Sequence, residues 1–103
     1  MNSESMDHET SIARKASLKA GKLLANNKKV LNKTIFESSK DIKLKADISA
    51  EKLIKSILSK ESLFPILAEE SGKSVDDLGS TFWVVDPLDG TANYSRDIPI
   101  CCV

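Results

Sequence analysis

Apolar residues in the first third of the chain fall at Ile12, Ala16, Ala20, Leu23, Leu24 and Leu31. Spacing of three and four predicts one amphipathic helix from about His8 to Leu31. Arg14, Lys15, Lys19, Lys22, Lys28 and Lys29 mostly lie off that stripe and read as its solvated face. A second stripe, Ala50, Leu53, Ile54, Ile57 and Leu58, predicts a helix that Asp47 or Ser49 caps and that ends near Lys60-Glu61-Ser62. Between the two helices, Thr34-Ile35-Phe36 reads as a short strand, and Ser38-Ser39-Lys40-Asp41 is turn chemistry. Phe64-Pro65-Ile66-Leu67-Ala68 reads as a short strand running into Glu69-Glu70. Ser71 to Ser80 is polar, with Gly72 and Gly79, and reads as a mobile loop. Thr81 to Asp86 holds the aromatic and β-branched run Phe82-Trp83-Val84-Val85, the pattern of a buried central strand with Trp83 in the core. Thr91 to Ser95 follows as a short helical turn, and Ile98 to Val103 as a further strand. Residues 1–8 are polar and read as a disordered leader, leaving 9–103 as one domain.

Two amphipathic helices among several strands predict an α/β architecture, one helical layer on one sheet. The 103 residues suffice for one small core. Fifteen basic and fifteen acidic residues give a net charge of zero, which argues against nucleic-acid binding by bulk charge. No apolar run is long enough to span a bilayer, and the polar N-terminus lacks a signal-peptide core, so a cytoplasmic protein without a membrane partner is expected. Cys101 and Cys102 are adjacent, a poor geometry for a structural disulfide, and read as reduced thiols on a buried strand. His8 has no partner nearby and is assigned no role.

The chemistry concentrates where the Trp83 strand ends. Asp86 is delivered at the strand end, Pro87 stops the ladder because it has no N–H, and Asp89-Gly90 is a turn dipeptide. Asp before Pro and Asp before Gly are also ordinary turn residues. Two carboxylates three residues apart nevertheless suit Mg²⁺, which takes a few carboxylates and leaves room for phosphate oxygens and water. Gly90 and Thr91 would open a helix with their N–H groups outward, where an anion binds.

Asp86-Pro87-Leu88-Asp89-Gly90-Thr91, with Trp83 before it and Asn93-Tyr94 after it, resembles the metal-binding signature of the inositol monophosphatase family. Ala68-Glu69-Glu70-Ser71-Gly72 is similar to that family's Gly-Glu-Glu-Ser element, with Ala68 where Gly is usual. The two motifs come in the family's order, and the resemblance runs from about Ala13 to Val103. It implies a layered α/β sandwich of the sugar-phosphatase kind. It also implies Mg²⁺-dependent hydrolysis of a phosphate monoester, with a metal-activated water as nucleophile. Glu69, Asp86, the Leu88 carbonyl and Asp89 would be metal ligands, three carboxylates converging on the cations. Asp89, Gly90 and Thr91 would bind the phosphate. Glu69, Asp47 and Thr91 would be catalytic, the Thr91 hydroxyl pairing with Asp47 to orient the attacking water. Capping is the alternative for both Asp47 and Thr91. A solvated or loop-capping carboxylate is the alternative for Glu70, and packing or surface roles are preferred for Tyr94 and Arg96.

Leu44 stands three residues before Asp47 where the family usually has Thr. The family also completes its site with a downstream Asp in a Trp-Asp element, which this chain does not contain. The chain stops inside a strand pattern, and the family is much longer, so the reading is an N-terminal fragment with an incomplete fold. As given, the chain is expected to bind Mg²⁺ weakly and to hydrolyse little or nothing. The resemblance implies an inositol or sugar phosphate as substrate and allows a homodimer of the full-length protein. Alternatives are a fructose-bisphosphatase or bisphosphate nucleotidase of the same family, or a non-catalytic metal-binding or interaction module.

Overall fold

In the computed structural model, which describes residues 3–37, 42–98 and 101–103, the two apolar stripes face each other. Helix α1, Ser3–Asn26, packs along α3, Lys45–Glu61. Ile12, Ala16, Ala20 and Leu24 are buried on one helix, and Ala46, Ala50, Ile54 and Leu58 on the other. Both sets recur every fourth residue, so each forms a ridge that fits the other's groove. The alanines within each ridge let the backbones approach closely.

The first helical stretch differs from the single helix expected. α1 starts at Ser3, so residues 3–8 are helical rather than a disordered leader. Polar residues do not oppose a helix whose later turns dock on α3. The helix then stops at Asn26, and a separate turn, α2, covers Lys28–Leu31. Asn27 breaks it at φ −120° and ψ 26°, with its side-chain amide donating to the Leu23 carbonyl at 3.0 Å. Asn commonly leaves a helix this way, because its side chain competes for backbone groups. The break redirects the chain so that Leu31 is still buried.

β1, Thr34–Glu37, and β2, Ile42–Leu44, form an antiparallel pair; the turn expected at Ser38–Asp41 lies outside the described residues. A second sheet has the order β4-β3-β5, from Gly72–Lys73, Ile66–Ala68 and Trp83–Val85. β3 pairs antiparallel with β4 and parallel with β5. The loop read between Ser71 and Ser80 therefore contains a strand, and Gly72 enters it at φ +74°, a backbone region that favours glycine. Among the described residues β5 is an edge strand, not a central one. Val85 is buried, but Val84 is 73% exposed, Phe82 is exposed and Trp83 is half-buried. Periodicity could not separate a strand buried on both faces from one buried at its end. Trp83 packs against the core and donates from Nε1 to Ser62 Oγ at 3.1 Å. No described helix is long and apolar enough to cross a membrane.

The last helix, α4, Thr91–Ser95, sits where it was predicted. Tyr94 is buried, and its hydroxyl donates to the Leu24 carbonyl at 2.7 Å, tying α4 to the end of α1. Lys28 lies over the Tyr94 ring, 5.0 Å from its centroid, and its ammonium pairs with Asp97. Asn32 Nδ2 donates to the Ser95 carbonyl at 3.2 Å. Beyond α4, a lone antiparallel bridge joins Asp89 to Cys102, and Cys101 and Cys102 are exposed rather than buried. The rest of the predicted Ile98–Val103 strand includes residues 99 and 100, which lie outside the described residues.

Tyr94→Phe removes the hydroxyl alone and leaves the Leu24 carbonyl without this donor. It should lower the unfolding free energy by about 1–2 kcal/mol. Urea unfolding with an unchanged midpoint would show that this tie contributes nothing.

Candidate active site

The parallel pairing of β3 with β5 sets Ala68 opposite Val85, so both strands end at the same edge. Glu69 follows one strand and Asp86 the other. The ladder continues one step further, with the Glu69 N–H donating to the Val85 carbonyl at 3.1 Å. The two carboxyls meet in a hydrogen bond, and chiefly through that bond the Glu69 carboxyl is pushed up to about 7. Partial burial and the charges of Asp86, Glu70 and Asp47 push in the same direction.

Pro87 and Leu88 are buried and anchor the turn that follows. Gly90 adopts φ 88° and ψ 36°, a left-handed conformation that L side chains rarely take, and caps α4. Thr91 then faces α3. Its hydroxyl lies 2.9 Å from Asp47 Oδ1 and 3.1 Å from the Leu88 carbonyl, so one proton is shared between two acceptors. Sequence reasoning paired Thr91 with Asp47, and the structure brings them into contact.

Asp47 is 2% exposed. Burial raises its pKa, and hydrogen bonds from the Leu44 N–H and the Thr91 hydroxyl oppose that rise. It is not the N-cap residue of α3, and neither is Ser49. Leu44 is the N-cap, and Asp47, three residues into the helix, reaches back so that Oδ2 accepts the Leu44 N–H at 2.8 Å. A capping pair can be built from its acidic half alone. Leu44 itself is fully buried.

Asp89 departs from the expected convergence. Its backbone N–H donates to the Cys102 carbonyl at 2.7 Å, and its carbonyl accepts the Cys102 N–H at 3.0 Å. The Cys102 thiol donates to Asp89 Oδ2 at 3.7 Å. Partial loss of hydration against its neighbours and the Asp89 carboxylate push that exposed thiol's pKa up. Among the described residues no three His, Cys, Asp or Glu side chains group closely enough to hold a metal ion. The structure brings the Glu69 and Asp86 carboxyls together, while the Asp89 carboxylate lies against the Cys102 thiol. The pair Glu69–Asp86 nevertheless fits a divalent cation. Two carboxyls close enough for one to keep its proton to about pH 7 offer a place where a cation can take over the neutralising role.

Tyr94 is a packing residue, and Arg96 is exposed at the end of α4. Sequence reasoning missed Glu51. It is 4% exposed on α3, and its Oε1 accepts the Glu70 N–H at 2.8 Å. The available signal was its place one helical turn after Asp47, on the same face. An apolar groove of about 270 Å³ opens between α1, α3 and β5, with Asp86 at its margin, but its lining includes no basic side chain for a phosphate.

The sequence model of the inositol monophosphatase family matches residues 5–103. The chain belongs to the inositol monophosphatase family. It is 39% identical over 64 residues to inositol-1-monophosphatase of Synechocystis sp., covering 61% of this chain and 22% of that protein. It is 35% identical to the fructose-1,6-bisphosphatase/inositol-1-monophosphatase of Aquifex aeolicus, over 97% of this chain and 39% of the relative. The crystal structure of the extragenic suppressor protein suhB from Bartonella henselae superposes with a TM-score of 0.78 at 33% identity. That match covers 89% of this chain and 37% of the other. The fold is thus a portion of the family's α/β architecture, and the chain spans roughly a fifth to two fifths of these relatives' lengths. The family is one of phosphatases that generally depend on a metal.

Thr91→Val leaves Asp47 Oδ1, on a carboxyl that is 2% exposed, without its side-chain donor. The cost should be about 1–3 kcal/mol in unfolding free energy, and Thr91→Ser should recover most of it. Equal chemical-denaturation midpoints for all three proteins would mean that the contact is not made in solution.

Proposed function

We propose that this chain carries the metal- and phosphate-binding half of a Mg²⁺-dependent phosphate monoester hydrolase. The observation that carries the proposal is the Glu69–Asp86 carboxyl pair, held at the shared end of two parallel strands beside the Asp89-Gly90-Thr91 turn. In open α/β sheets, ligands bind outside the carboxyl ends of parallel strands.

Glu69, Asp86, the Leu88 carbonyl and Asp89 would hold Mg²⁺. Bound there, the ion lowers the pKa of a coordinated water and offsets charge on the phosphate. The chain's own groups do the rest. Gly90 and Thr91 open α4, where the first N–H groups have no intrahelical acceptor and suit a phosphate oxygen. Thr91 Oγ1, held by Asp47, is the group that orients a water, and burial keeps Asp47 in place as its acceptor. Buried Pro87 and Leu88 keep the turn fixed while Asp86 and Asp89 stay exposed to ligand.

Small phosphorylated polyols are the substrates that fit best. The support is the likeness to relatives named for inositol monophosphate and fructose 1,6-bisphosphate. Phosphate release from inositol 1-phosphate, fructose 1,6-bisphosphate and phosphoadenosine phosphate should be assayed with Mg²⁺ and with chelator, using protein expressed from its complete reading frame. One ester is expected to release phosphate only with Mg²⁺. Since loss of a group that merely supports a ligand costs 10–100-fold, Asp86→Asn should lower the rate by more than about a hundredfold. Metal-independent turnover, or an unaffected Asp86→Asn enzyme, would overturn the proposal. Mg²⁺ uptake with no release from any ester would point to a cation-binding role instead.

A further inference from the structure

Asp47 and Glu51 are the buried charged residues among those described. Asp47 has a place in the proposed chemistry, and Glu51 has none. Its position is costly, because a carboxylate at 4% exposure has given up water and follows another acid by one helical turn. The contact it makes is a hydrogen bond in which Oε1 accepts the Glu70 N–H at 2.8 Å. That amide belongs to the peptide immediately after Glu69. The amide before it, the Glu69 N–H, is held by the Val85 carbonyl at 3.1 Å. The Cα of Glu69 thus hangs between two fixed amides, one held by β5 and one by α3. One turn further along α3, Lys55 Nζ donates to Ser71 Oγ at 2.8 Å. Positions 47, 51 and 55 form one stripe of the helix, and it reaches both the Thr91 turn and the Glu69 turn.

We infer that Glu51 is a positioning residue. By fixing the Glu70 amide it sets where the Glu69 carboxyl stands relative to Asp86, and so the fit of that pair to Mg²⁺. The inference rests on the reading that Glu69 and Asp86 hold the ion. What it requires of residue 51 is an acceptor at the reach of Glu. Gln keeps both acceptor and reach, Asp keeps the charge but falls one methylene short, and Ala has no acceptor.

The test uses protein from the complete reading frame, titrated with Mg²⁺ alone by calorimetry, with backbone amide exchange at Glu70 followed in parallel. Glu51→Ala and Glu51→Asp should bind Mg²⁺ about 10–100-fold more weakly and should exchange the Glu70 amide faster. Glu51→Gln should restore both readings. Folded Glu51→Ala protein with parental Mg²⁺ affinity would overturn the inference, leaving Glu51 a purely structural group. Glu51→Gln as weak as Glu51→Ala would also overturn it, because charge rather than position would then be what counts. If Glu51→Ala does not fold, the contrast between Asp and Gln decides on the same terms. A parent that takes up no Mg²⁺ would bring down the proposed function and this inference together. A parent that binds while Glu51→Ala binds equally would remove the inference alone.

Discussion

The site depends on one pairing, the parallel register that sets Ala68 against Val85. Parallel strands finish at the same edge, so residues far apart in sequence emerge side by side. Here those residues are Glu69 and Asp86, and their carboxyls come close enough to share a proton. An antiparallel arrangement of the same strands would have sent them to opposite edges. A slip of one residue would have turned one of them to the other face. The paired strands have only three residues each, so the register needs outside support. It comes from the Trp83 indole on Ser62 at the end of α3, while the ladder itself runs one step beyond β3 through the Trp83 N–H on the Pro65 carbonyl at 2.8 Å.

Helix α3 is the second constraint. Its apolar side is spent on α1, while Asp47, Glu51 and Lys55 face the two turns of the site. A rigid helix fixes the distance between residues four apart far better than a loop can. The turn after β3 and the turn after β5 are therefore set against the same ruler. α4 is held from the opposite direction, through Tyr94 on Leu24 and Asn32 on Ser95. The Asp86–Thr91 turn thus lies between two anchored helices, and the left-handed Gly90 makes the corner that leads from the turn into α4.

Much of this was legible in the residues. The stripes of α1 and α3 are periodic enough to name their buried positions, and Asp89-Gly90 followed by Thr91 announces a turn and a helix start. The strand-end motifs named Glu69 and Asp86 separately. What periodicity does not contain is which strand lies beside which, so β5 was read as central and buried when Val84 is largely exposed. The apolar spacing continues to Leu31 across the break at Asn27, so periodicity alone does not mark it. Asp47 looked like a cap, since capping from the third helical position by an Asp behind a Leu has a weak sequence signature. Cys102 was read as buried because a short apolar run carries no sign of the bridge that holds it at the surface. Glu51 is hidden for a similar reason. In Ala50-Glu51-Lys52-Leu53 it resembles any solvated acid on an amphipathic helix, and only the fold shows that its face is covered.

The acids of this site explain one another energetically. Asp47, Glu51, Glu69 and Asp86 are drawn from three elements into one region, against both desolvation and mutual repulsion. Asp47 and Glu51 are compensated locally, each by a backbone N–H. A carboxylate accepting such bonds stays in place although it is buried. At the strand ends the neighbouring Asp86 carboxyl, chiefly through its hydrogen bond to Glu69, pushes the Glu69 carboxyl up to about 7. The acids on α3 are thus held by backbone donors inside the fold, while the Glu69–Asp86 pair lies exposed at the strand ends. Asp89 is held differently: its backbone is bridged to Cys102, and its carboxylate accepts the Cys102 thiol.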